Sequence, residues 1–375
     1  MKRPPLGGGK LWLIVSPAIA LASVGACADE NLPLAEGDGG VLESEAGVDA
    51  TADVIEPPDA DASPDQVSFP DAPDANDGTP GMLGLSGAIS PIHDPTLIWS
   101  GTKYHLFSTG PGLPRFESTD LHHWTAAGKV FDEKPAWVTT TNPAEPDTLW
   151  APDISFFGGQ YHLYYSASSF GSNVSCIGHA TSSSLDPPTW HDRGSVICSS
   201  SSDDWNAIDP AAHVDSDGDV WLAFGSFWSG IKLTRLASDG SRLGSGLISL
   251  STRANTAVEA PYIVRHGEYY YLFESVDSCC KGAASTYKMM VGRATNITGP
   301  YVDKAGTPLL SGGGTLLVES GERWKGPGHN TILRTPAGDW YNVYHSYDAT
   351  RGGWPTLRIA ELKWGPDGWP TSAGP

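Results

Sequence analysis

Five times along this chain a short polar head carrying Asp, Glu or His is followed, across a turn containing Gly, by a run of aromatic and aliphatic residues. His93-Asp94-Pro95 leads into Tyr104-His105-Leu106-Phe107, and Trp150-Ala151-Pro152-Asp153 into Tyr161-His162-Leu163-Tyr164-Tyr165. Ala207-Ile208-Asp209-Pro210 leads into Val220-Trp221-Leu222-Ala223-Phe224, and Val258-Glu259-Ala260-Pro261 into Tyr269-Tyr270-Tyr271-Leu272-Phe273. Gly326-Pro327-Gly328-His329-Asn330 leads into Trp340-Tyr341-Asn342-Val343-Tyr344. Each unit reads as a hairpin. Counted from Asp94, Asp153, Asp209, Glu259 and His329, the heads lie 59, 56, 50 and 70 residues apart. A repeat of that length with several strands per unit predicts a β-propeller, here with five blades. The innermost strand of each blade lines the central axis. Asp94, Asp153, Asp209, Glu259 and His329 are therefore expected to converge at one end of one channel.

The rest of the chain divides by composition. Residues 1–28 carry Lys2, Arg3 and Lys10 ahead of an apolar run from Leu11 to Ala26, the pattern of an export signal rather than of a membrane span. The run closes on Val24-Gly25-Ala26-Cys27, which resembles a bacterial lipobox with Cys27 as the lipidated residue. Ordinary cleavage after Ala28 is the alternative. Residues 29–80 hold 15 acidic residues, no Lys or Arg and a single aromatic, Phe69, so they read as a disordered acidic tether unable to build a core. The remaining 81–375 are expected to form one all-β catalytic domain with a net charge of −8. That charge excludes a nucleic-acid-binding surface. No protein partner is implied, and contact with a membrane is expected only through a lipid on Cys27.

Beyond Cys27 the cysteines are Cys176, Cys198, Cys279 and Cys280. In an exported protein they are expected to form disulfides. Cys176 and Cys198 flank a hairpin and could pair across it, and the adjacent Cys279 and Cys280 could pair with each other. Three connectivities are open at this point, and zinc is disfavoured because no further ligand pair has the right spacing.

Separated carboxylates around a cavity lined with aromatics, with no nucleotide motif, point to glycosidic bonds. Such chemistry needs one protonated carboxyl to donate to the leaving oxygen and one ionised carboxylate to activate water or attack. Glu259 lies among Ala257, Val258, Ala260 and Pro261, a setting that raises a carboxyl pKa. Asp94, beside His93, has the polar setting of an ionised base. Asp209 could orient the proton donor and hold its pKa up.

The same heads, with further strings, resemble glycoside hydrolase family 43. Tyr165-Ser166-Ala167-Ser168-Ser169-Phe170-Gly171, Phe224-Gly225-Ser226-Phe227-Trp228-Ser229-Gly230 and Cys279-Cys280-Lys281-Gly282 are three of them. Ser285-Thr286-Tyr287-Lys288, Gly326-Pro327-Gly328-His329-Asn330 and Tyr344-His345-Ser346-Tyr347-Asp348 complete the set. Together they are similar to the endo-1,5-α-L-arabinanase branch of that family over residues 90–365. The resemblance implies a five-bladed β-propeller that hydrolyses arabinan or arabino-oligosaccharides with inversion. Asp94 would be general base, Glu259 general acid and Asp209 the modulator of the acid. Trp150 and Phe170 would stack on arabinose rings, and Asn206 and Ser226 would hydrogen-bond sugar hydroxyls. His329 would sit beside a calcium ion in the channel, although one imidazole is an odd partner for an oxygen-preferring cation. His179 departs from the apolar residue that the family more often has there.

Two other readings share these features. An exo-acting β-xylosidase or α-L-arabinofuranosidase of the same family would carry the same acids, and a non-catalytic polysaccharide-binding propeller would keep the aromatics but lose an acid. Asp215-Ser216-Asp217-Gly218-Asp219 looks like a calcium loop but has its Gly too early, and is expected to be a hairpin turn.

Overall fold

Each head lies in or just ahead of the first strand of a separate sheet, and its aromatic run forms the second, in the computed structural model, which describes residues 78–141, 148–254 and 256–375. The expected export signal, Cys27 and nearly all of the expected acidic tether lie outside the described residues. Blade 1 runs Thr96–Trp99, Tyr104–Phe107, Pro114–Ser118 and His123–Lys129 from the axis outward. Blade 2 runs Thr148–Phe157, Gln160–Ala167, Ser175–Ser182 and His191–Ser199. Blade 3 consists of Ala211–Val214, Val220–Phe224, Ile231–Leu236 and Arg242–Ser251. Blade 4 consists of Val258–His266, Tyr269–Val276, Lys288–Ala294 and Thr315–Val318. Blade 5 consists of Trp324–Arg334, Trp340–Asp348, Trp354–Trp364 and Pro370–Ser372. The first strands of consecutive blades touch, and that of blade 5 touches that of blade 1, so the ring closes. The expected five-bladed all-β propeller is the fold.

The second strands explain why the aromatic runs do not alternate with polar residues. A blade is covered on both faces by its neighbours, so both faces must be apolar. Leu106, Phe107, Tyr164, Tyr165, Leu222, Phe224, Leu272, Phe273, Val343 and Tyr344 are all fully buried. Each such side chain contributes about 1.5–3 kcal/mol on burial.

Residues 81–92 close the ring. Leu83 N–H donates to Ile359 O, Glu361 N–H to Gly81 O, Leu357 N–H to Ile89 O and Ile92 N–H to Pro355 O, all along the third strand of blade 5. Ser86–Gly87 then pairs in parallel with His123–Lys129 at the outer edge of blade 1. One stretch of chain thus binds the last blade to the first. Cys176 and Cys198 oppose each other on neighbouring strands of blade 2 and are bonded, as are Cys279 and Cys280, which settles the connectivity and leaves no thiol for zinc among them. His179 hydrogen-bonds His162 at 2.9 Å in a buried ring stack. The Asp215–Asp219 segment is a turn closed by Asp215 N–H to Asp219 O.

The heads repeat in backbone shape as well as in sequence. In each head one non-glycine residue has a left-handed conformation: Asp94 (φ 51°), Ala151 (46°), Asp209 (56°), Ala260 (52°) and His329 (51°). Such a residue is normally disfavoured, and here each one's N–H is satisfied from the preceding blade. Asp94 N–H donates to His345 Nδ1 (3.1 Å), Ala151 N–H to Thr109 Oγ1 (2.8 Å), Asp209 N–H to Ser166 Oγ (3.0 Å) and His329 N–H to Ser275 Oγ (2.9 Å). Those acceptors sit at or just past the end of a second strand. In blade 3 the matching position is Gly225, where a Cβ would come within 2.5 Å of Gly230 O. The Asp209 side chain takes over, and Ala260 N–H donates to its Oδ2 at 3.1 Å.

Candidate active site

The equivalent positions fix which head residues share the cleft. Asp94, Asp209 and His329 occupy the left-handed slot itself, and Glu259 precedes the slot of blade 4 by one residue. All four line one cavity of about 820 Å³ at the end of the channel. Asp153 does not join them, contrary to the sequence expectation. It lies two residues beyond the slot of blade 2, level with Thr96 of blade 1, and is buried. There it accepts from Ala212 N–H at 2.8 Å and lies 3.4 Å from Thr96 Oγ1. Burial pushes its carboxyl up to about 7. It belongs to the packing of the channel beneath the cleft.

Asp94 is held by donors on both oxygens. Thr109 Oγ1 donates to Oδ2 at 2.6 Å, and His93 Nδ1 lies 2.8 Å from the same oxygen. His329 Nδ1 lies 3.1 Å from Oδ1. His345 Nδ1 is also 3.6 Å from Oδ1, but its lone pair already accepts the Asp94 N–H, so it cannot donate there. Burial alone would raise the Asp94 carboxyl. The His93 and His329 imidazoles outweigh it and hold Asp94 well below the usual carboxylate range. In turn burial disfavours charging His329, but Asp94, with Asp209 and Glu259 behind it, pushes the imidazole up to about 9. A carboxylate offers about four acceptor positions. Three are taken here, which leaves one on Oδ1.

Glu259 has the opposite setting. It is buried, and burial pushes its pKa up against the Ser226 hydroxyl, which donates to Oε2 at 2.5 Å, and against the Tyr287 hydroxyl. Burial likewise pushes Asp209 up, with the charge of Glu259 adding to the rise. The two carboxyls titrate as a pair. The Asp209 hydrogen bond to Ala260 N–H ties this pair together through the strand that carries Glu259. Close approach at Tyr287 requires Gly328, where a Cβ would sit 2.0 Å from the tyrosine ring.

The cleft walls match the expected sugar contacts in part. Trp150 and Phe170 face each other with ring centroids 4.9 Å apart, and Phe170 is 79% exposed. Asn206 is buried, lines the cavity and has no hydrogen-bond partner for Oδ1 among the described residues. Ser226 faces Glu259 rather than open space. Phe227 and Trp228 line the cavity too, with 50% and 44% exposure. Tyr287, Tyr347, Thr109 and the Cys279–Cys280 disulfide complete the wall. Sequence reasoning gave these last residues no role, although all but Thr109 lie in strings that it singled out.

The described donors around His329 do not build an oxygen cage for calcium. The cluster of three metal-ligand atoms lying within 4.8 Å of one another is His93, Asp94 and His345, which is rich in nitrogen. His329 would offer one imidazole and leave the other positions to water.

Comparison with known proteins agrees with this geometry. The profile of glycosyl hydrolases family 43 matches residues 90–370. The chain is 45% identical over 286 residues to an extracellular endo-α-(1→5)-L-arabinanase of Bacillus subtilis, covering 75% of this chain and 87% of that protein. It is 41% identical over 297 residues to an extracellular exo-α-(1→5)-L-arabinofuranosidase of Cellvibrio japonicus, covering 74% and 85%. Among solved structures, the endo-arabinanase of Bacillus licheniformis superposes with a TM-score of 0.73 at 47% identity, covering 76% of this chain and 99% of that one. The α-L-arabinanase of Cellvibrio cellulosa complexed with arabinohexaose also gives 0.73, at 40% identity and with coverage of 75% and 95%.

Proposed function

The chain belongs to the glycosyl hydrolases of family 43, and from that premise we propose that it cleaves internal α-1,5-L-arabinofuranosidic bonds of arabinan with inversion. The observation that carries the proposal is the opposite setting of two carboxyls on one cavity. Two imidazoles hold Asp94 well below the usual carboxylate range, and burial pushes Glu259 up from it.

In this mechanism a water sits at the vacant acceptor position of Asp94 Oδ1. It attacks the anomeric carbon as its proton passes to Asp94. Glu259 gives its proton to the departing glycosidic oxygen, and solvent restores both groups. Inversion requires room for that water between base and acid. Asp209 shares the burial that raises the acid, titrates with it as a pair, and holds the acid's strand through Ala260 N–H. Trp150, Phe170, Phe227 and Trp228 present faces for the apolar sides of sugar rings, and Asn206 Oδ1 accepts from a hydroxyl.

A second reading is favoured by the relative from Cellvibrio japonicus, which is named exo-acting. Linear arabinan and chromatography of early products separate the two. A spread of oligosaccharides is expected from internal cleavage, whereas one short product from the first minutes would make the enzyme exo-acting. The absence of any product would leave a binding propeller.

The relatives from Bacillus subtilis and Cellvibrio japonicus are named extracellular, which supports export here. We further propose a lipid on Cys27, with the acidic tether carrying the propeller clear of the membrane. Cys27→Ser is expected to move the enzyme from the membrane fraction to the soluble one with unchanged specific activity. Wild-type protein that is wholly soluble would make ordinary secretion correct.

A further inference from the structure

A hydrogen-bonded path runs from the cavity wall through His93 into Asp94. The Cys280 N–H donates to Tyr347 Oη at 2.9 Å, and Tyr347 Oη lies 2.7 Å from His93 Nε2. His93 Nδ1 lies 2.8 Å from Asp94 Oδ2. The path begins at the Cys279–Cys280 disulfide, where Cys280 holds a left-handed backbone (φ 65°) that turns its N–H toward the phenol. His93 is stacked on His345 with ring centroids 3.9 Å apart, so the ring is clamped face-on as well.

The direction of each bond follows from the donors and acceptors. A carboxylate oxygen at 2.8 Å demands a hydrogen on His93 Nδ1. The phenol accepts from the Cys280 N–H, and in the neutral imidazole, whose one hydrogen lies on Nδ1, His93 Nε2 accepts the phenol's proton. Both ends of a neutral imidazole are then satisfied, in the tautomer that donates to Asp94.

We propose that Tyr347, anchored by the Cys279–Cys280 loop, is a positioning residue that fixes the tautomer and orientation of His93 and thereby aims Asp94 at its water. The inference rests on the reading of Asp94 as the base. Tyr347 touches His93 rather than Asp94, so its effect passes through the imidazole. Because Asp94 Oδ2 is pinned by His93 and Thr109 together, loosening His93 lets the carboxylate rotate and misplaces the acceptor position on Oδ1. That disturbs the attack on the anomeric carbon more than the binding of sugar rings along the aromatic walls.

The test is a double-mutant cycle on linear arabinan. Tyr347→Phe removes only the hydroxyl and should lower kcat about ten-fold, the rate equivalent of one hydrogen bond, with KM nearly unchanged. His93→Ala should lose at least as much, and the double variant should be no worse than His93→Ala alone, because the phenol acts only through that ring. Wild-type kcat in Tyr347→Phe, or losses that multiply in the double variant, would overturn the proposal. The paired Cys279→Ser/Cys280→Ser variant leaves Tyr347 and His93 in place and should show the same fall in kcat. An unchanged kcat there would remove the disulfide loop from the path, and with it the proposal as stated. Asp94→Asn separates the layers. If it is inactive while Tyr347→Phe is normal, only the path fails. If Asp94→Asn turns over, the assignment of the base fails first.

Discussion

Glu259→Gln is expected to lower kcat on linear arabinan by about 10²–10⁴-fold, the usual contribution of general acid catalysis, while oligosaccharide binding stays within a few-fold. The amide has the size of the carboxyl, and its oxygen can take over the Ser226 hydrogen bond that Oε2 now accepts. It has no acidic proton for the leaving oxygen. Wild-type kcat/KM should also fall on its alkaline side above the ordinary carboxylate range, because burial raises Glu259 and Asp209 as a pair. Loss of the acid's proton, not of the base, sets that limb. Initial rates and titration calorimetry on the purified variant check the result, and turnover near wild type would remove Glu259 from the acid's role.

Asp94→Asn is expected to be as inactive, about 10²–10⁴-fold down, for a different reason. Thr109 and His93 both approach Oδ2, so the amide oxygen must take that place. The amide nitrogen then faces His329, where an ionised oxygen lies now, and nothing remains to accept the proton of water. Azide should not rescue this variant into a product of retained configuration, because no glycosyl-enzyme bond is formed. The wild-type product, followed by NMR before it mutarotates, should have inverted configuration. A retained product would make Asp94 a nucleophile and require closely spaced carboxyls.

Much of this site is legible in the sequence because the repeat carries it. The five heads mark five inner strands, and the Asp-Pro pairs place Asp94 and Asp209 in equivalent slots. The misplacement of Asp153 shows what acid-to-acid counting misses. Aligned on Pro95, Pro152, Pro210 and Pro261, the slot of blade 2 is Ala151 and that of blade 4 is Ala260, which puts Asp153 below the cleft and Glu259 at its edge. Proline was the better ruler because it sits just after the left-handed turn, whereas the acid is free to move by a residue. Thr109, Tyr287 and Tyr347 are harder to read. Thr109 and Tyr287 meet Asp94 and Glu259 from beyond the second strand of the same blade, and Tyr347 reaches His93 only across the seam between blades 5 and 1, so no local pattern announces them. Phe227 and Trp228 lie in an inter-strand loop whose shape no periodicity encodes.

The slots borrow their acceptors in a fixed direction around the axis, each from the blade before, and blade 1 borrows from blade 5. Asp94 N–H waits for His345, 251 residues later in the chain. The seam spans a comparable length of chain, with Ser90 Oγ donating to Pro355 O across 265 residues. A chain folding from its N-terminus therefore carries the base of the reaction from the start but cannot set it until the last blade arrives. Contacts so distant in sequence form late and slowly. Until they form, Asp94 lacks the backbone lock and the His345 stacking partner of His93. An unfinished propeller is for this reason an inert one, and hydrolysis reports completion of the ring.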